Sequence, residues 1–82
     1  MICLIECNGM TNAQQIKRLL GRYLIKAFTC RLPKVLAVGG CSYAVKVSEE
    51  ELEKVLKIIR DSGFTYRRIY RVIENTYEEV IL

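Results

Sequence analysis

The stretch that decides the fold is residues 42–63, SYAVKVSEEELEKVLKIIRDSG. Its first part alternates. Tyr43, Val45 and Val47 fall on one side of an extended chain, and Ala44 and Lys46 on the other. That period of two predicts a strand over 42–47 with one covered face. At Ser48 the period changes. Ser48 and Glu51 have the spacing of a capping box, and Glu49, Glu50 and Glu51 suit the positive end of a helix dipole. Leu52, Val55, Leu56 and Ile59 then recur at i, i+3, i+4 and i+7, the apolar stripe of a helix over 49–62. Gly63 reads as its C-cap glycine.

The N-terminal half has the same strand-then-helix order. Residues 2–8 are short, apolar and β-compatible, and end at the turn signal Asn8-Gly9. Thr11 and Gln14 read as a second capping box, and Ile16, Leu19, Leu20 and Tyr23 as the stripe of a helix over 12–24. Residues 26–32 alternate again, with Phe28, Cys30 and Leu32 on one face and Ala27, Thr29 and Arg31 on the other. Pro33 stops that strand because it cannot donate to a ladder. Residues 64–73 read as a fourth strand, with Tyr66, Tyr70 and Val72 or Arg67, Ile69 and Arg71 facing inward. The tail, 74–82, fits either a short helix capped at Thr76 or an edge pairing of Val80-Ile81-Leu82.

The order β-α-β-β-α-β predicts an α+β fold in one domain over 1–82. With right-handed crossovers, the compact solution is a ferredoxin-like four-stranded antiparallel sheet. Its strand order is 4-1-3-2, and both helices lie on one face. Cys3, Ile5 and Cys7 are expected to face the helices, and Ile2, Leu4 and Glu6 to face out. Cys30 is expected to point into the core.

Composition narrows the function. The chain has 82 residues, 51% hydrophobic and 27% charged, which is globular and too short for a second core. No apolar run approaches the roughly 20 residues of a membrane span. There is no histidine, so His triads and His-ligated zinc are excluded. Met1 leads directly into Ile2-Cys3-Leu4-Ile5 without a basic n-region, so a cytoplasmic location is expected, with reduced thiols. The net charge of +4 is ordinary for a small domain. No metal site is expected. The cysteines are Cys3, Cys7, Cys30 and Cys41, with no C-x2-C pair, and Cys3 and Cys7 on one strand stand about 13 Å apart.

Cys41 is the residue with chemical promise. In the expected topology strand 3 begins between the ends of strands 1 and 2. Cys41 would then lie near Cys7-Asn8-Gly9, near Pro33 and near the start of the first helix. A helix N-terminus lowers a thiol pKa, and Lys34 adds positive charge. Gly39 and Gly40 remove side-chain bulk beside the sulfur. This is not a phosphate loop, because it neither carries the G-x-x-x-x-G-K-[ST] spacing nor opens a helix.

The Pro33-Lys34 pair, the short loop, Cys41, the apolar strand and the acidic-capped helix ending at Gly63 resemble the small bacterial selenium/sulfur carrier-like proteins. That family is otherwise described as a domain of unknown function. Ser42 stands where it usually has glycine, and Lys34 where it usually has arginine. The resemblance implies that Cys41 accepts sulfur or selenium from a cysteine desulfurase-like donor and passes it to an acceptor protein, with no cofactor. Pro33, Lys34, Gly39, Gly40 and Ser42 would shape the binding loop, and Cys7 is the candidate resolving thiol. Such a protein is a carrier more than a true enzyme.

The alternative is an oligomeric ligand- or RNA-binding module. Tyr66, Arg67, Arg68, Tyr70 and Arg71 interleave aromatic and basic residues, but the strand at 42–47 lacks the Gly-Phe-rich RNP1 pattern, which disfavours nucleic acid. Ile2, Leu4 and Val80-Ile81-Leu82 are apolar surfaces that a homo-oligomer would cover.

Overall fold

The computed structural model describes residues 1–36 and 42–81. The elements in chain order are β1 (Ile2–Cys7), α1 (Met10–Arg22), β2 (Phe28–Arg31), β3 (Tyr43–Ser48), a single 3-10 turn (Glu49–Glu51), α2 (Leu52–Asp61), β4 (Ile69–Ile73) and β5 (Thr76–Glu79). The fold is α+β, with two helices and one antiparallel sheet. The sheet has five strands where four were expected, in the order β2-β3-β1-β4-β5. The added strand comes from the tail. Glu74-Asn75 turns the chain, with Glu74 at φ 53, and the Thr76 hydroxyl donates to the Ile73 carbonyl at 2.7 Å. The hairpin satisfies the outer edge of β4, which would otherwise present unpaired backbone groups. The tail takes the expected edge pairing and not the helix, but it does so mainly through Thr76–Glu79, with the Val80 N–H donating to the Ile69 carbonyl at 2.8 Å; Leu82 lies outside the described residues.

The core lies between the sheet and both helices. Cys3, Ile5 and Cys7 of β1 and Val45 and Val47 of β3 pack against Ala13, Ile16 and Leu20 of α1 and Val55, Leu56 and Ile59 of α2. Each fully buried Ile, Leu or Val stabilises the fold by about 1.5–3 kcal/mol relative to exposure. The opposite face holds a smaller cluster of Leu4, Leu32, Ala44 and Tyr70, with Cys30 and Val72 against it. Cys30 is therefore on the open face, contrary to the inward placement expected for it. The reason is register. Cys30 pairs with Ala44, whose side chain is on the open side, while Val45 points to the helices.

Both capping boxes are absent. Gly9 precedes α1 with extended backbone and makes no side-chain cap; Thr11 is already inside the helix. The side chain of Asn12 instead reaches back, accepting from the Asn8 N–H at 3.0 Å. Ser48 caps nothing either. The Glu49 N–H donates to the Met1 carbonyl at 2.9 Å, which carries the β1–β3 ladder into the first residue of the turn.

The C-termini of the helices are built alike. After α2, Gly63 has φ 79, its N–H donates to Arg60 at 3.1 Å, and the Phe64 N–H donates to Ile59 at 3.2 Å. After α1, Leu24 has φ 61, its N–H donates to Gly21 at 3.1 Å, and the Ile25 N–H donates to Leu20 at 3.0 Å. Both are Schellman motifs. Only the first has the glycine that favours one.

The fourth strand begins at Ile69, five residues later than Phe64. Glu6 accepts from the Arg67 N–H at 2.8 Å and donates to the Arg68 carbonyl at 2.7 Å, so two residues oppose one and the strand bulges. The bulge resolves the facing of strand 4. Ile69 packs toward the helices, Tyr70 and Val72 face the open side, and Tyr66, before the bulge, packs on the helix side.

Candidate functional site

The connection between β2 and β3 carries the residues expected to act. Pro33 ends β2 and opens a turn closed by the Leu36 N–H donating to the Pro33 carbonyl at 2.9 Å. Lys34, in that turn, is exposed. The connection is pinned at its base, where the Leu32 N–H donates to the Ser42 carbonyl at 2.8 Å. Pro33 and Ser42, both half-buried, thus flank one end of the sheet. Gly39, Gly40 and Cys41 lie outside the described residues.

Around this end the register is definite. Tyr43 pairs with Cys7 on one side and with Arg31 on the other, so β3 starts between the end of β1 and the end of β2. From Cys7, only Asn8 and Gly9 precede α1. Asn8 is fixed there, since its side-chain amide donates to the Thr65 hydroxyl at 3.0 Å. The start of β3 and the start of α1 therefore both adjoin the end of β1.

The three described thiols have different surroundings and one property in common. Cys3 is fully buried, and its thiol is pushed up by burial, then by the charge of Glu49. Cys7 is buried on the helix side, with its sulfur 3.4 Å from the Ile5 carbonyl. Burial, followed by smaller contributions from Glu6 and Cys30, pushes its thiol up to about 11 against a partial offset from the Val45 backbone. Cys30 is half-buried on the open face, and burial raises its thiol while Lys46 pulls the other way. All three are free, and burial raises the thiol of each. Cys7, expected to be near the loop, is near it along the backbone, but its sulfur points into the core.

Sequence reasoning missed Cys30. It lines an open depression of about 310 Å³ on the helix-free face, together with Pro33, Lys46, Leu4 and Val72. No local signal marks it. The set Phe28, Cys30 and Leu32 is the more apolar of the two, and only β3's register puts it on the open face and Ala27 against the helix-side core.

The aromatic-basic run of strand 4 does not form one surface. Tyr70 is only 5% exposed, and Tyr66 packs on the core. Arg71 pairs with Glu49 and, at 3.2 Å, with Glu78. No row of exposed rings is left on that strand for bases to stack on. Among the described residues no group of His, Cys, Asp and Glu could hold a metal ion, and no helix is long and apolar enough to cross a membrane.

A family model described as "Putative Se/S carrier protein-like" matches residues 3–71. No match was found among curated proteins or among solved structures.

Proposed function

Because the chain belongs to this Se/S carrier protein-like family over residues 3–71, we propose that it carries sulfur or selenium as a persulfide or selenosulfide on Cys41. The observation that carries this reading is the state of the other thiols. Burial raises the thiols of Cys3, Cys7 and Cys30 above their ordinary value, so each is a poorer nucleophile at neutral pH than an ordinary cysteine. Cys41 alone is in the connection that joins β2 to β3, preceded by two glycines. Support also comes from the frame around it: Pro33 and Ser42 flank the connection, exposed Lys34 contributes positive charge, and the start of α1 adjoins the same sheet end.

The transfer needs no net oxidation. The Cys41 thiolate attacks the terminal sulfur of a donor persulfide, forming a new S–S bond. The donor's S–S bond breaks, and the donor leaves as a thiolate. An acceptor thiolate then attacks the terminal sulfur on Cys41, which leaves as a thiolate in turn. Selenium follows the same path from a donor selenosulfide. A cysteine desulfurase-like protein fits the donor role. Cys7 acts as a resolving thiol only if the end of β1 opens, because its sulfur is buried.

The test is intact mass after incubation with a cysteine desulfurase and cysteine. The wild-type chain should gain one sulfur atom, and Cys41→Ser should gain none. Sulfur loading equally on Cys41→Ser, or on Cys30 in preference to Cys41 by peptide mapping, would overturn the assignment.

A further inference from the structure

The face of the sheet turned away from α1 and α2 is covered by no helix among the described residues. Register lays its side chains out in rows. One row runs Phe28, Lys46, Leu4, Tyr70, Glu79 across β2, β3, β1, β4 and β5. The next runs Ser48, Ile2, Val72, Tyr77 across β3, β1, β4 and β5. These rows are apolar in the middle and oppositely charged at two places, Lys46 and Glu79. Phe28 is 59% exposed, Ile2 43% and Tyr77 37%. Lys46 makes no ion pair among the described residues.

We propose that this face binds a second copy of the chain, with each Lys46 against the partner's Glu79. The charge placement selects that occupant. Lys46 and Glu79 share a row and stand three strands apart, roughly 14 Å, so the midpoint between them falls between β1 and β4. A two-fold axis parallel to the strands at that midpoint exchanges the two positions. It sets Lys46 opposite the partner's Glu79, Leu4 opposite the partner's Tyr70, and Ile2 opposite the partner's Val72. The same patch then serves both copies, as a closed two-fold interface requires. Opposite charges meet at both flanks, and apolar side chains meet between them. Aligned packing of two sheets about 10 Å apart is an ordinary geometry for such faces. Five strands spaced by about 4.8 Å give a face roughly 24 Å wide. Two such faces bury on the order of 1,000 Å² in total, at the low end for a specific interface. The dimer is therefore weak and reversible, dissociating at about micromolar concentrations.

Arg68 lies close enough to Tyr70 and Glu79 of its own chain for both to favour its charge. The decisive variants therefore reverse charge instead of deleting it. Sedimentation velocity on the full chain, at protein concentrations from about 1 to 500 μM, reads the association. Lys46→Glu and Glu79→Lys, each placing like charges at both flanks, should weaken self-association at least about tenfold. The double variant should recover it. An equimolar mixture of the two single variants should associate too, because each then meets its complement. Circular dichroism on every variant confirms that the fold is intact. A wild-type chain that stays monomeric at the highest concentration overturns the proposal and leaves this face to another protein. A dimer unchanged by either single reversal, or not recovered by the double variant, also overturns it and points to the tail around Val80 and Ile81.

Discussion

Leu24→Gly should make this protein more stable, although Leu24 is a large apolar residue next to a helix. Leu24 occupies the left-handed position of the Schellman motif that ends α1, with φ 61. An L-residue with a Cβ loses about 1–2 kcal/mol by sitting there, and glycine does not. Leu24 is 93% exposed, so its removal forfeits almost no buried area. Against the gain stands the extra freedom of glycine in the unfolded chain, about 0.5–1 kcal/mol. The balance favours the variant by about 0.5–1 kcal/mol, which for a domain of this size raises the melting temperature by roughly 2–8 °C. Urea unfolding at fixed pH measures it as a higher midpoint with an unchanged slope. Leu24→Ala is the control, since alanine keeps the Cβ and should stay within about 0.5 kcal/mol of wild type. A Leu24→Gly variant that is destabilised, or an alanine variant that gains as much as the glycine one, would refute the strain argument.

The converse holds at the other helix. Gly63→Ala, at φ 79 with no atom within 4 Å of an added Cβ, should lose about 0.5–1 kcal/mol net, the backbone strain less the freedom that alanine removes from the unfolded chain, read as a lower urea midpoint. Leu20→Ala, fully buried between α1 and the sheet, should cost about 2–5 kcal/mol in urea unfolding. Alkaline pH should destabilise the fold through Cys7. Its folded-state thiol is raised to about 11 from an ordinary 9.0, so its contribution is complete below about pH 9 and is lost as pH climbs toward 11. The loss is on the order of 2–3 kcal/mol, and Cys7→Ala should show a shallower decline over that window. In timed disulfide exchange at pH 7.5, Cys7 should react at no more than about one-tenth the rate of an unfolded-chain thiol, since its small thiolate fraction outweighs its higher basicity and burial limits access to its sulfur. A Cys7 as fast as the denatured control would contradict its burial.

The elements that the sequence announces most clearly are those whose side chains alternate against a helix. The stripe from Leu52 to Ile59 and the alternation from Tyr43 to Val47 both predict their elements within a residue or two, because burial on one side is the dominant force there. The helix starts depart from expectation for one reason. Thr11 and Ser48 have the right chemistry and spacing for caps, but Gly9 opens α1 earlier, which puts Thr11 inside the helix, and the chain leaves β3 through a single 3-10 turn in which the Ser48 hydroxyl makes no cap bond. Where a helix starts is set by how the chain leaves the preceding strand, and sequence spacing alone does not record that. Leu24 is the matching case at a C-terminus, where tertiary packing imposes the left-handed turn on a residue that never signals it. The β4–β5 hairpin is hidden in the sequence because its turn is Glu74-Asn75, without the glycine that usually marks a two-residue turn. The candidate site is legible in part. Pro33, Lys34 and Ser42 do come to one end of the sheet, and the start of β3 does lie beside Cys7. The facing of Cys30 is not legible, because the more apolar set of that strand, Phe28, Cys30 and Leu32, lies on the open face and only pairing with β3 reveals it.

β5 determines how this chain must be handled as a material. It is a four-residue acidic-ended strand, Thr76-Tyr77-Glu78-Glu79, laid along Ile69–Ile73. Underneath it, the segment Ile-Tyr-Arg-Val-Ile is rich in β-formers and carries one charge, which Glu49 and Glu78 already neutralise. A shortened chain ending before Thr76 would keep the buried core between the sheet and the helices, losing only the packing of Val80 at its margin, and yet bare the hydrogen-bonding edge of that segment. Identical bared edges can stack on one another without limit, since each added strand leaves a new edge behind. Clipping of this tail by a protease would thus not release a smaller soluble domain; it would convert a protein that ends its own sheet into a seed for fibres.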